Sequence, residues 1–134
     1  MLTKKSVMIV DDAAMMRLVI TNLVTSDSRY SVDSYCSNGE EALAALKKVT
    51  PDIILVDIEM PVMDGLTFIR HARLKTRAKI VVLSSIAAEG SPQARTARQL
   101  GADAVVQKPS GAVSFDLAEK IGSQLLATLK RLSP

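Results

Sequence analysis

Five polar residues stand where apolar runs end. Asp11 and Asp12 follow Val7–Val10, Asp57 follows Ile53–Val56, Ser84 follows Ile80–Leu83, and Lys108 lies just past Ala104–Val106. Three carboxylates brought into one cleft repel one another and need a cation at neutral pH. With only hard oxygens on offer, and no His or Cys nearby in sequence, Mg²⁺ fits best. It takes one or two carboxylates, keeps several waters and meets phosphate oxygens. A carboxylate can also act as a covalent nucleophile, accepting a phosphoryl group as an aspartyl phosphate. The metal and the Lys108 ammonium would neutralise charge on the group in transit, and Ser84 would offer its hydroxyl to a phosphoryl oxygen. Each residue has a plainer role available: a helix-capping acid for Asp11 and Asp12, a loop hydroxyl for Ser84, a surface amine for Lys108. Their occurrence at successive strand ends is what favours the chemistry.

The elements that must position them are readable in order. Ile53–Val56 is apolar without a break, the pattern of a strand covered on both faces, as in a parallel sheet. Pro61 ends it, and Asp64-Gly65 is turn chemistry ahead of a helix spanning about Leu66 to Leu74. Before it come a strand at Val7–Val10 and a helix with an apolar stripe at Met16, Val19, Ile20 and Leu23. A strand at Tyr30–Ser37 follows, then an Asn38-Gly39 turn and an Ala-rich helix at Glu40–Lys48. After it come a strand at Ile80–Leu83, a helix opened by Ser91-Pro92 and closed by Gly101, and a strand at Ala104–Val106. A last helix carries the stripe Phe115, Ala118, Ile121, Gly122, Leu125, Leu129 and Leu132. Strand–helix repeated five times predicts an α/β fold: a single (βα)5 doubly wound parallel sheet in flavodoxin-like order 2-1-3-4-5. In that order strands 1 and 3 adjoin, so Asp11, Asp12 and Asp57 converge at the carboxyl edge where such sheets bind ligands.

At 134 residues the whole chain, 1–134, fits one domain. Hydrophobic content of 48% without Trp calls for an aliphatic core. A net charge of only +3, with scattered basic residues, gives no reason to expect nucleic acid. The single cysteine, Cys36, allows no internal disulfide and reads as a small buried thiol. The apolar N-terminal run is cut short by Asp11, and no stretch approaches a membrane span, so a cytoplasmic protein without membrane contact is expected.

Val10-Asp11-Asp12, Val56-Asp57-Ile58-Glu59-Met60-Pro61-Val62-Met63-Asp64-Gly65, Ser84-Ser85 and Lys108-Pro109 resemble the receiver domain of bacterial two-component response regulators. The resemblance covers nearly the whole chain. It implies phosphoryl transfer from a phosphohistidine of a sensor histidine kinase or phosphotransfer protein onto Asp57, with Mg²⁺ as cofactor. It further implies that Asp12 ligates the metal directly, Asp11 largely through water, and Glu59 through its backbone carbonyl. Asp57-Ile58-Glu59-Met60-Pro61, Ser84-Ser85-Ile86-Ala87-Ala88-Glu89-Gly90-Ser91 and Lys108-Pro109-Ser110-Gly111 are similar to the receiver of the chemotaxis protein-glutamate methylesterase. The hydrolase domain of that enzyme has no counterpart here, and no Gly-x-Ser-x-Gly elbow appears. Two readings therefore stand: a stand-alone chemotaxis-type receiver, or the regulatory domain of a two-domain methylesterase.

Receivers usually carry an aromatic three residues before the lysine; here Val105 stands there. Without a ring to swing, the switch is expected at Ser84, Ser85 and the connection through Ser91, which leads into a helix with an outer face of Gln93, Arg95, Arg98 and Gln99. The resemblance also implies a cis Lys108–Pro109 bond. Kinase docking is expected on the first helix at Met15 and Leu18, and the chain is expected to be a monomer or weak dimer. A flavodoxin-like electron carrier would need a phosphate-cradling loop where Asp11-Asp12 stands. An aspartate-nucleophile phosphatase would carry a second Asp at the position of Glu59. His71 falls mid-helix, away from the acidic residues.

Overall fold

Each apolar run forms a strand, and a helix follows each one. The order is β1 (Lys5–Val10), α1 (Ala14–Thr25), β2 (Tyr30–Cys36), α2 (Gly39–Ala45), β3 (Ile53–Asp57), α3 (Gly65–Ala72), β4 (Lys79–Ser84), α4 (Pro92–Leu100), β5 (Ala104–Gln107) and α5 (Phe115–Leu132). This computed structural model describes residues 4–84, 90–108 and 115–133, with 115–118 as backbone only. The sheet runs β2-β1-β3-β4-β5 with every pairing parallel, as the alternation of elements predicts.

β3 lies at the centre, and all five of its residues are buried. Successive side chains on a strand point to opposite faces. Ile54 and Val56 join Phe68, Ile69, Ala72 and Ala97 beneath α2, α3 and α4. Ile53 and Leu55 join Met16, Ile20, Val24, Leu125 and Leu129 beneath α1 and α5. An apolar residue is therefore needed at each of these positions, each large one stabilising by about 1.5–3 kcal/mol when fully buried. Cys36 is buried as expected, and burial pushes its thiol pKa up to about 11.

The helix ends differ from the sequence pattern in an instructive way. Asn38 and Asp64, read as turn residues, are N-caps: their side chains accept hydrogen bonds from Glu41 N–H at 2.9 Å and Thr67 N–H at 2.8 Å. Gly39 and Gly65 are consequently the first helical residues. At the far ends, α2 stops at Ala45 and α3 at Ala72, two or three residues short of expectation, because turns take over there. On α1 the fully buried stripe is Met16, Ile20 and Val24, with Val19 and Leu23 half-buried at its margins.

Two contacts hold the loops that flank the sheet. Gly65 N–H donates to the Ile58 carbonyl at 2.7 Å, and a Cβ on Gly65 would stand 2.0 Å from the Asp57 carbonyl oxygen. The start of α3 thus lies directly on the end of β3, an approach only glycine allows. At the amino edge, Arg73 donates to the carbonyls of Ala78 and Gly101 and pairs with Asp103 at 3.6 Å. Asp103 in turn accepts from Ile80 N–H at 2.8 Å. No sequence pattern announced this clasp.

Gly65→Ala is expected to destabilise the fold by roughly 1–3 kcal/mol, the usual cost of overpacking. It will appear as a lower urea midpoint; an unchanged midpoint would show that the loop yields freely.

Candidate functional site

The parallel order delivers the ends of β1, β3, β4 and β5 to one edge. A cleft of about 490 Å³ opens there, lined by Asp12, Asp57, Glu59, Met60, Pro61, Ser84 and Lys108. Asp57 ends β3 and is 8% exposed, so its carboxylate meets solvent only through this opening. Asp11 is fully buried beside it, while Asp12 is exposed at the mouth. One carboxylate oxygen from each of Asp11, Asp12 and Asp57 falls within a mutual span of 4.8 Å.

Lys108 joins the two buried acids. Its ammonium lies 2.9 Å from Asp57 Oδ2, as a hydrogen bond, and 2.8 Å from Asp11 Oδ2. The second contact is close enough for an ion pair but outside hydrogen-bonding direction, leaving Asp11 Oδ2 buried without a directional donor. Asp11 Oδ1 accepts from Ala13 N–H at 2.9 Å, which fixes the carboxylate. The backbone around it is held too: Asp11 N–H donates to the Cys36 carbonyl at 3.0 Å, and Arg17 donates to the Asp11 carbonyl at 2.6 Å.

Charge in the site is balanced against burial. Desolvation raises the Asp57 pKa, partly opposed by the Lys108 hydrogen bond. Desolvation pulls Lys108 down, yet the Asp11 and Asp57 carboxylates beside it together carry its pKa above the ordinary value. The lysine stays charged and the aspartate is held at a cost.

The residue set fits Mg²⁺. Three oxygen-donor side chains within one cation's reach, a buried carboxylate oxygen lacking a directional donor, and a wide cleft for water are what a hard divalent ion requires.

Of the residues singled out in the sequence, Asp11, Asp12, Asp57, Glu59, Ser84 and Lys108 come together. Met15 and Leu18 lie exposed on α1, next to the segment carrying Asp12. Val105 does not reach the cleft; it is half-buried against the α4-side core. Ser85 and the Lys108–Pro109 bond lie outside the described residues. Half-buried His71 is in the last turn of α3. Sequence reasoning missed Arg17, whose only signal was a cation six residues beyond Asp11 on the following helix. It also missed Met60 and Pro61 as walls of the cleft.

The model of the response regulator receiver domain family matches residues 7–120. The chain belongs to that family. Phosphorylation on aspartate and use of Mg²⁺ are general features of its receivers. This receiver is 42% identical over 120 residues to the protein-glutamate methylesterase/protein-glutamine glutaminase of Halalkalibacterium halodurans, covering 90% of this chain and 34% of that protein. The chain thus spans about a third of the length of such relatives. Its backbone is similar to the response regulator domain of Thermotoga maritima CheB, with a TM-score of 0.88 at 28% identity over 97% of this chain and 96% of that one. It is also similar to a chain in the crystal structure of the P1 domain of CheA3 in complex with CheY6 from R. sphaeroides. There the TM-score is 0.80 at 53% identity, covering 97% of both chains. Among the described residues, no helix is long and apolar enough to cross a membrane.

The folded receiver holds the Asp57 proton more tightly than the unfolded chain, so this group lowers stability as pH rises past its unfolded value and up through its folded one. Metal-free Asp57→Asn should therefore melt a few degrees higher than the parent at about pH 7, with a flatter dependence on pH above about 4. A lower melting point at neutral pH would show that the lost Lys108 pairing outweighs the relief of burial.

Proposed function

We propose that this receiver takes a phosphoryl group from a histidine kinase of a chemotaxis-type two-component system onto Asp57, with Mg²⁺. The observation that carries the reading is the ammonium of Lys108 set between two buried carboxylates at the floor of an open cleft. In the step proposed, an Asp57 carboxylate oxygen attacks phosphorus while the phosphorus–nitrogen bond of the donor phosphohistidine breaks. The bonding pair stays on the imidazole nitrogen, which then takes up a proton. Bound Mg²⁺ would supply positive charge against the phosphoryl oxygens, held by Asp12, Asp57 and the Glu59 carbonyl directly and by Asp11 largely through water. Lys108 exchanges its Asp57 contact for a phosphoryl oxygen while its Asp11 pairing keeps the ammonium in place. Ser84, buried at the end of β4, donates its hydroxyl to another phosphoryl oxygen. The chain 1–134 then acts as one cytoplasmic signalling module whose chemistry is confined to its own phosphorylation and dephosphorylation.

The donor in this proposal is a phosphohistidine domain of the CheA P1 type, since a chain similar to this one is found in complex with such a domain. Met15 and Leu18 are proposed as part of its landing surface. One observation favours a second reading, a regulatory domain of a methylesterase: those relatives match over a third of their length.

Acetyl phosphate with Mg²⁺ should add one base-labile phosphoryl group, seen as a single mass increment located at Asp57. Asp57→Asn should abolish it while the circular dichroism spectrum is unchanged, because an amide keeps the shape without the nucleophile. Full-rate labelling of that variant would defeat the assignment.

Beryllium fluoride with Mg²⁺ should shift amide resonances over Ser84–Leu100 beyond those touching Asp57, and Ser84→Ala should uncouple that shift. If the largest remote shifts fall on β2 and α2, the switch lies there.

A further inference from the structure

Val62 has a φ of 66°, alone among the described non-glycine residues in taking a positive value. It occupies the centre of a three-residue turn, closed by a 2.7 Å hydrogen bond from Met63 N–H to the Pro61 carbonyl. A turn of this span with positive φ at its centre is the rare, strained form. A β-branched residue is poorly suited to it. The turn itself has a structural purpose. It brings the Met63 carbonyl to Gly39 N–H at 3.1 Å and returns the chain so that Gly65 reaches Ile58.

The residue type has no such purpose. Glycine or asparagine would adopt the same backbone with less strain. Nor does packing compensate, since Val62 is 75% exposed. What the strained turn does achieve is to hold a rigid apolar side chain outward, next to Met60 and Pro61 on the wall of the cleft. Five large apolar residues are exposed among those described: Met15, Leu18, Tyr35, Val62 and Leu74. Three of the five belong to the segments that border the cleft, α1 after Asp12 and the loop after Asp57.

Asp57 lies below the rim, so a donor imidazole can reach it only if the surrounding donor surface closes over the cleft. The polar groups on the floor are then committed to the phosphoryl group, and the rim is left to make the protein contact. Apolar side chains pre-set in one orientation lose little entropy on being covered. We propose that Val62 is a docking and specificity residue for the phosphohistidine-bearing domain, forming the β3–α3 side of a rim whose α1 side is Met15 and Leu18. The proposal rests on the phosphotransfer reading above.

The test measures phosphoryl uptake by the full chain from two donors, the phosphorylated P1 domain of CheA3 and acetyl phosphate, for the parent, Val62→Asn, Val62→Gly and Val62→Ile. Val62→Asn and Val62→Gly should slow uptake from the P1 domain at least about fivefold, the scale of losing an interface anchor. They should leave acetyl phosphate uptake within about twofold and raise the urea midpoint by relieving strain. Val62→Ile, still apolar, should keep P1 transfer near the parent rate. Unchanged P1 transfer in Val62→Asn overturns the docking role. Equal slowing with both donors overturns it as well, since Val62 would then act through the geometry of Asp57. Uptake by the parent from acetyl phosphate but not from P1 removes the docking proposal and spares the phosphoacceptor assignment; uptake from neither defeats both.

Discussion

Everything at the carboxyl edge depends on keeping two buried negative charges beside one positive one. Asp11 and Asp57 come from neighbouring strands, and without a cation their repulsion and desolvation would work against the fold. Lys108 supplies the balance from β5, two strands away from β3, with β4 between them. Neighbouring strands are about 4.8 Å apart, so the group needed at that position must be long as well as charged. A short hydroxyl suffices at Ser84, because β4 adjoins β3 directly. The residue types at the four strand ends are thus matched to their distance from Asp57. Moving Ser84 one strand farther out, or Lys108 one strand nearer, would leave either group the wrong length.

This matching is why so much of the site was legible in the sequence. Apolar runs of three or four residues read as buried strands in an alternating β–α chain, and their ends fall together once the sheet is parallel. Asp11, Asp12, Asp57, Ser84 and Lys108 could be picked out for that reason, and the five-stranded order followed from the same alternation. Helix ends were less legible, since Asn38-Gly39 and Asp64-Gly65 have the composition of turns and the geometry of caps. What distinguishes the two is which N–H the side chain accepts, and that is decided by tertiary packing against Met63 and Asp57. Arg73 was not legible at all, and Arg17 only as a cation at an unremarkable spacing. Each bonds to backbone carbonyls, and carbonyls leave no mark on a sequence.

The Met63 carbonyl ties the β3–α3 loop to the start of α2, and Gly65 ties it to the end of β3. The loop that carries the walls of the cleft is therefore anchored to its neighbours at two points. Its strained centre at Val62 persists between the turn's own hydrogen bond and the tie from Met63 to Gly39. On the α4 side the packing is different, with Ala94 and Ala97 as the fully buried contacts of the helix. Small side chains interlock less deeply than the Phe68 and Ile69 of α3.

The Arg73 clasp gives that difference a direction. It fastens the C-terminal end of α4 at Gly101 to the α3–β4 turn, and Asp103 stitches the same corner to β4. The opposite end of the helix starts at Ser91 after Gly90, an exposed glycine with φ of 86°. A rod pinned at one end cannot slide along the sheet. It can only swing about the pin, so a displacement of about one ångström at the middle becomes about two at the free tip. The amino edge of the molecule is then the fulcrum, and the part of α4 nearest the phosphorylation cleft travels farthest.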